Sequence, residues 1–242
     1  VRAFFQERQP LTGYGKARLG QVFLNQGRLE VGKALIRDAW ITGNFSKSRE
    51  KTFYKQYRKL LDLEDHCRRL DRLQWQGRYW PSRRMLWRVP KDYRVLGVAR
   101  MFLRHNLGNV DTAIARIPVK LRNDTGLKYE RLRWRLQKGK HISALEILND
   151  PTKDLVHPTL WWRNREIVVR YLLHKGDAKN AYLVARDHSI DAHDLKHVAA
   201  YSEAEWLAGW IALRFLNVAK IAEVHFKKMY EAVRFPISRS RG

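Results

Sequence analysis

The chain holds one cysteine, Cys67, among 242 residues, which excludes an intrachain disulfide. Proline is sparse, and no Ser/Gly/Pro-rich stretch parts one compositional half from another, so neither a linker nor a disordered tail is expected. No apolar run is long enough to cross a bilayer, which takes about 20 residues. A phosphate-binding loop is missing too: Gly13-Tyr-Gly15 lacks the Lys-Ser/Thr that would complete it. No Ser/His/Asp nucleophile setting is present. Acidic residues are scarce, 24 against 48 Lys and Arg, for a formal net charge of +24. Such an excess attracts polyanions, so an acidic partner is expected: a cell-wall polymer, a nucleic acid or another anionic surface.

What is present describes a helical protein. Hydrophobic residues make up 45% of the chain, with nine Trp, ten Tyr and nine Phe, enough for a sizeable core. Residues 202–216 read as a nearly all-apolar helix, with Ser202 and Glu205 at the spacing of a capping box. Its all-round apolar character predicts enclosure by other helices and burial of Trp206 and Trp210. Gly27, Gly77, Gly139 and Gly176 each follow an apolar-periodic segment, as C-terminal turn glycines do, with Asn217 as a fifth, glycine-free case. Five residues after each comes a small side chain, Gly32, Ser82, Ala144, Ala181 and Ala222, then a mostly apolar pair about one turn later. That pattern predicts five αα-hairpins. Extra helices are expected over 46–60 and 93–105, and Pro118, Pro151 and Pro158 mark helix ends or starts. The turns are irregularly spaced, unlike a tetratricopeptide array with its period of about 34. The expected fold is all-α: a superhelical αα-hairpin solenoid, tetratricopeptide-like with irregular repeats, forming one body over residues 1–242.

Candidate chemistry is thin. Asp62, Glu64 and Asp65, like Glu203 and Glu205, sit at expected helix starts, where the backbone dipole accounts for them without a substrate. His193 and His197 have i, i+4 spacing, but a zinc site would need a third held ligand, with Asp191 or Asp194 nearest. That stretch, with His188, reads instead as a polar connection before the Ser202 helix, and Cys67 as a half-buried helical thiol. Neither metal nor cofactor is expected. Binding candidates are basic residues interleaved with aromatics: Arg131, Arg135 and Lys138 on one face, and Trp161, Trp162, Arg163 and Arg165 in a second cluster. Sugars stack on aromatic rings and arginine forks onto carboxylates, so these residues could hold a glycan. The helical spacing of Trp161 with Val168 and Leu172, and of Trp162 with Val169 and Leu173, argues instead that these tryptophans pack inside hairpins.

Several segments together resemble one family. They are Pro10-Leu-Thr-Gly13, Leu60-Leu-Asp-Leu-Glu-Asp-His66, Arg69-Leu-Asp-Arg-Leu73, Tyr129-Glu-Arg-Leu-Arg-Trp134, Trp161-Trp162, Ala204-Glu-Trp-Leu-Ala-Gly-Trp210 and Pro236-Ile-Ser-Arg239. In this order they resemble the superhelical, U-shaped domain of the soluble lytic transglycosylases, bacterial enzymes that cleave peptidoglycan. The resemblance implies a non-catalytic scaffold. The family's chemistry sits in a lysozyme-like domain marked by a Glu-Ser pair and a Gly-Leu-Met-Gln segment, and neither occurs here. The chain is therefore expected to be a fragment of a longer, periplasmic parent, with no leader of its own to read.

The resemblance implies a function of binding or positioning peptidoglycan beside the catalytic domain of the same parent. That parent would break the bond between N-acetylmuramic acid and N-acetylglucosamine, forming a 1,6-anhydro ring. The alternative is a basic helical-repeat module that binds RNA or another protein, supported by the charge and the Trp/Arg mixture.

Overall fold

A computed structural model describes residue 5 and residues 10–149 and 156–233. Pro151 and the Pro236-Ile-Ser-Arg239 segment lie outside them. Among the described residues the fold is all-helical, without strands. The chain, read above as one body, divides into two compact units, Val1–Arg122 and Asn123–Gly242.

Unit 1 contains α1 (Gly13–Asn25), α2 (Leu29–Thr42), α3 (Lys47–Tyr57), α4 (Leu63–Trp75), α5 (Tyr79–Met85), α6 (Lys91–Arg104) and α7 (Val110–Ala115). Its core gathers Trp40, Phe53, Tyr57, Leu70, Leu73 and Met85. The Asp62 side chain accepts from the Asp65 backbone N–H at 2.9 Å while Asp65 accepts from that of Asp62 at 3.0 Å, a reciprocal box that starts α4. These two acids are caps, as expected. The Cys67 thiol is half-buried, and burial pushes its pKa up. At the centre of the unit Arg69 is buried, donates to the carbonyls of Trp40 and Gly43, and pairs with the equally buried Glu50. Burial pulls the Arg69 pKa down to about 10 although Glu50 opposes the shift.

Unit 2 contains α8 (Thr125–Gln137), α9 (His141–Asn149), α10 (Pro158–His174), α11 (Ala178–Arg186), α12 (Val198–Arg214) and α13 (Ala219–Ala232). The hairpin reading holds in both units. Gly27, Gly77, Gly139 and Gly176 have φ of 75°, 67°, 68° and 78°, and Asn217 follows at 55°. Each turn must enter the left-handed region that glycine reaches without a Cβ penalty and asparagine tolerates. The five small residues that follow are all buried, because they lie where the second helix of each hairpin meets the first.

Two expectations about α12 fail. The helix begins at Val198, not Ser202, and the Ser202 hydroxyl donates to the Val198 carbonyl at 2.8 Å from within the helix. Ala200 and Tyr201 are helix-compatible and buried, so nothing halts the helix before Ser202. Nor is α12 enclosed by its large side chains. Its buried residues are Ala200, Tyr201, Ala204, Glu205, Ala208, Gly209, Ile211 and Ala212, most of them small, while Trp206 and Leu213 are exposed. The cause is the close approach of α13: a Cβ on Gly209 would stand 2.8 Å from the Phe226 ring. Only small residues fit that contact; Tyr201 and Ile211 are buried elsewhere on the helix, whereas Trp206 and Leu213 turn outward.

Candidate functional site

The seven candidate binding residues do not form one surface. Trp161 and Trp162 are 1% and 2% exposed, and Arg165 is buried with them. The inner face of α10 carries Trp161, Arg165, Val168 and Leu172 at successive turns. Arg165 donates to the carbonyls of Val184 at 3.1 Å and Leu148 at 3.3 Å. It thereby caps two helix ends whose last carbonyls have no intrahelical donor, and burial lowers its pKa to about 10. These three residues are core, so no sugar ring stacks on them. Arg135 is tied to Glu146 at 3.0 Å and to the Ser143 carbonyl. Arg131 is half-buried, with its pKa lowered by burial and then by Arg135. Lys138 and Arg163 alone of the seven present exposed side chains.

A different surface, in unit 1, has the properties sought. The inner side of α5 and the turn after it buries Ser82, Met85, Leu86 and Val89. The opposite side carries Trp80, Arg83 and Trp87, at i, i+3 and i+7, and the two tryptophans are 62% and 74% exposed. Tyr79 packs edge-on against Trp80 at 5.1 Å, and the Arg83 guanidinium lies 5.5 Å from the Trp80 ring centre. The Arg94 guanidinium lies 4.8 Å from that of Trp87 and is fixed by donating to the Leu86 carbonyl at 2.8 Å. Nearby, Asp92 is paired with Lys120. Two indole faces left in water, each with a guanidinium beside it, form a platform for rings or sugars that bear anionic groups. The signal was present as a Trp-x-x-Arg-x-x-x-Trp spacing out of phase with Ser82, Met85 and Val89.

Unit 2 holds a buried polar chain. Tyr182 Oη lies 3.0 Å from His225 Nε2, His225 Nδ1 lies 2.5 Å from Glu205 Oε2, and His188 Nε2 lies 3.4 Å from Glu205 Oε1. The Ile190 backbone N–H donates to His188 Nδ1 at 3.0 Å, which places the proton of a neutral His188 on Nε2, facing Glu205. Burial alone would raise the Glu205 pKa. The hydrogen bonds from His188 and His225, with the charge of Lys228, outweigh burial and hold it at about 2. A carboxylate so firmly ionised cannot protonate a leaving oxygen, the task for which glycosidase acids have raised pKa values. Glu205 is therefore neither the helix cap expected of it nor a glycosidic acid; it is the anion that joins α12, α13 and the connection over 187–197. In that connection His197 Nδ1 lies 2.8 Å from the Thr159 hydroxyl.

Comparison of the chain with protein-family models, curated proteins and solved structures finds no match.

Proposed function

We propose that this chain is the non-catalytic superhelical scaffold of a periplasmic lytic transglycosylase, and that it holds peptidoglycan for a catalytic domain of the same parent. The exposed Trp80–Arg83–Trp87–Arg94 surface on a chain of net charge +24 carries the reading. In it, sugar faces lie against the two indoles, and the arginines take the carboxylates of the stem peptides. The left-handed hairpin turns support the proposal that the helices wind as a solenoid.

The test is retention of the purified chain on insoluble sacculi, for the native protein and for a Trp80→Ala/Trp87→Ala double variant. Retention that falls at least about tenfold in the variant, with an unchanged thermal melt, supports the reading. Single-stranded RNA stacks on similar platforms, and its binding weakens steeply with salt. Retention on RNA with a steep salt slope, and none on sacculi, would overturn the glycan reading in favour of a nucleic-acid module.

A further inference from the structure

Unit 2 contains a cavity of about 930 Å³ between α10, α12 and α13, at the upper end of the roughly 300–1,000 Å³ typical of small-molecule sites. Much of its wall is apolar, with Leu195, Leu207 and Met229 among the lining residues. An apolar ligand body therefore gains by entering it.

The polar groups at this cavity are few, and they do not balance. Arg170 is paired with Glu166 on the same helix, so that cation is already engaged. Glu203 accepts from Trp162 Nε1 at 3.2 Å through Oε2, which orients the carboxylate. No cation pairs with Glu203 among the described residues. The other contributor is Trp206, 38% exposed, whose ring lies parallel to that of Trp210 at 6.0 Å and 8°. The stack fixes the indole orientation, so a ligand meets a preset aromatic face.

A carboxylate with no paired cation among the described residues, beside an aromatic face at the edge of an apolar cavity, is the arrangement that recognises ammonium groups. We infer that this cavity binds an organic cation: an ammonium group on an apolar body, with its charge at Glu203 and Trp206 and its body among Leu195, Leu207 and Met229. An anion there would meet the charge of Glu203, with Glu166 offset by its partner Arg170. A neutral isostere would keep the apolar contacts but lose the charge contacts. The chain's net positive charge slows the approach of a cation without reversing the contact preference, since screening acts over about 8 Å at physiological ionic strength. This inference is independent of the peptidoglycan reading and concerns a different unit.

The experiment is titration calorimetry on the full chain at physiological salt with three probes: 2-(2-naphthyl)ethylammonium, 2-(2-naphthyl)ethanol and 3-(2-naphthyl)propionate. The ammonium should bind about tenfold tighter than the alcohol, and the carboxylate should bind more weakly than either. Glu203→Gln keeps an acceptor for Trp162 Nε1 and, at an exposed position, should leave the melt unchanged while bringing ammonium and alcohol to equal affinity. Trp206→Ala should weaken both. The inference is overturned if native protein binds ammonium and alcohol equally, if the preference survives in Glu203→Gln, or if none of the probes binds.

Discussion

His225 on α13 holds Glu205 on α12 through a 2.5 Å contact between Nδ1 and Oε2, twenty positions apart in the chain and buried on both sides. The pair is supported by Tyr182 on His225, by His188 on the other carboxylate oxygen and by Lys228. With its folded pKa near 2 against 4.5 for a free Glu, Glu205 contributes stability that is complete above about pH 4.5 and is lost as pH falls towards 2. The size is of the order of 3 kcal/mol. Urea melts between pH 7 and 2 should show this loss in the native chain, and Glu205→Gln should be less stable at pH 7 with a shallower acid slope. An acid slope identical in the two proteins would refute the assignment.

Ala181 is wholly buried where α11 enters its hairpin after Gly176. The three added carbons of a leucine at this position have no space without moving a helix. Ala181→Leu should cost about 1–3 kcal/mol, read as a lower urea midpoint with an unchanged m-value. A midpoint equal to that of the native chain would show that the hairpin interface is looser than its geometry.

The hairpins were legible because their determinants are local. A left-handed turn needs glycine or asparagine, and a close helix crossing needs a small residue a fixed distance later; Gly27 with Gly32 and Gly176 with Ala181 satisfy both. The Asp62–Asp65 box was legible for the same reason. Ser202 and Glu205 share that spacing yet lie mid-helix, because a capping box signals a start only where the preceding residues stop the helix, and Val198–Tyr201 do not. The outward turn of Trp206 was not legible: it depends on how closely α13 approaches at Gly209, a tertiary fact. Glu205 was misread likewise, since its partners His188 and His225 are remote in sequence. The Trp80–Trp87 surface had a readable spacing, but its phase is fixed only once Ser82 and Met85 are known to face inward.

Arg69 and Glu50 carry opposite charges in the core of unit 1, and Arg84 forks onto the same carboxylate, with Nη2 3.0 Å from the Oε2 that Arg69 also contacts and Nε 3.1 Å from Oε1. Removing one partner leaves the other less compensated and frees the carbonyls of Trp40 and Gly43. Arg69→Ala should therefore destabilise unit 1 by about 3–5 kcal/mol. Thermal denaturation of the variant checks this; a loss below about 1 kcal/mol would place Arg69 among the weak surface pairs.

Two classes of tryptophan should separate cleanly. Trp161 is enclosed in unit 2 and packs edge-on against Tyr129 at 5.5 Å, so Trp161→Ala opens a cavity and should cost about 3–5 kcal/mol. Sacculus retention should then fall only as far as folding fails. Trp80 and Trp87 have most of their surface in water already, so Trp80→Ala and Trp87→Ala should each change stability by no more than about 0.5 kcal/mol. On the proposed reading their loss should instead appear in binding, since the core does not depend on these exposed residues. Urea melts paired with sacculus pull-downs measure both quantities on the same preparations. Native retention by the folded Trp80 and Trp87 variants would remove the platform from the binding mechanism, and a large stability loss on replacing Trp87 would show that its ring serves packing instead.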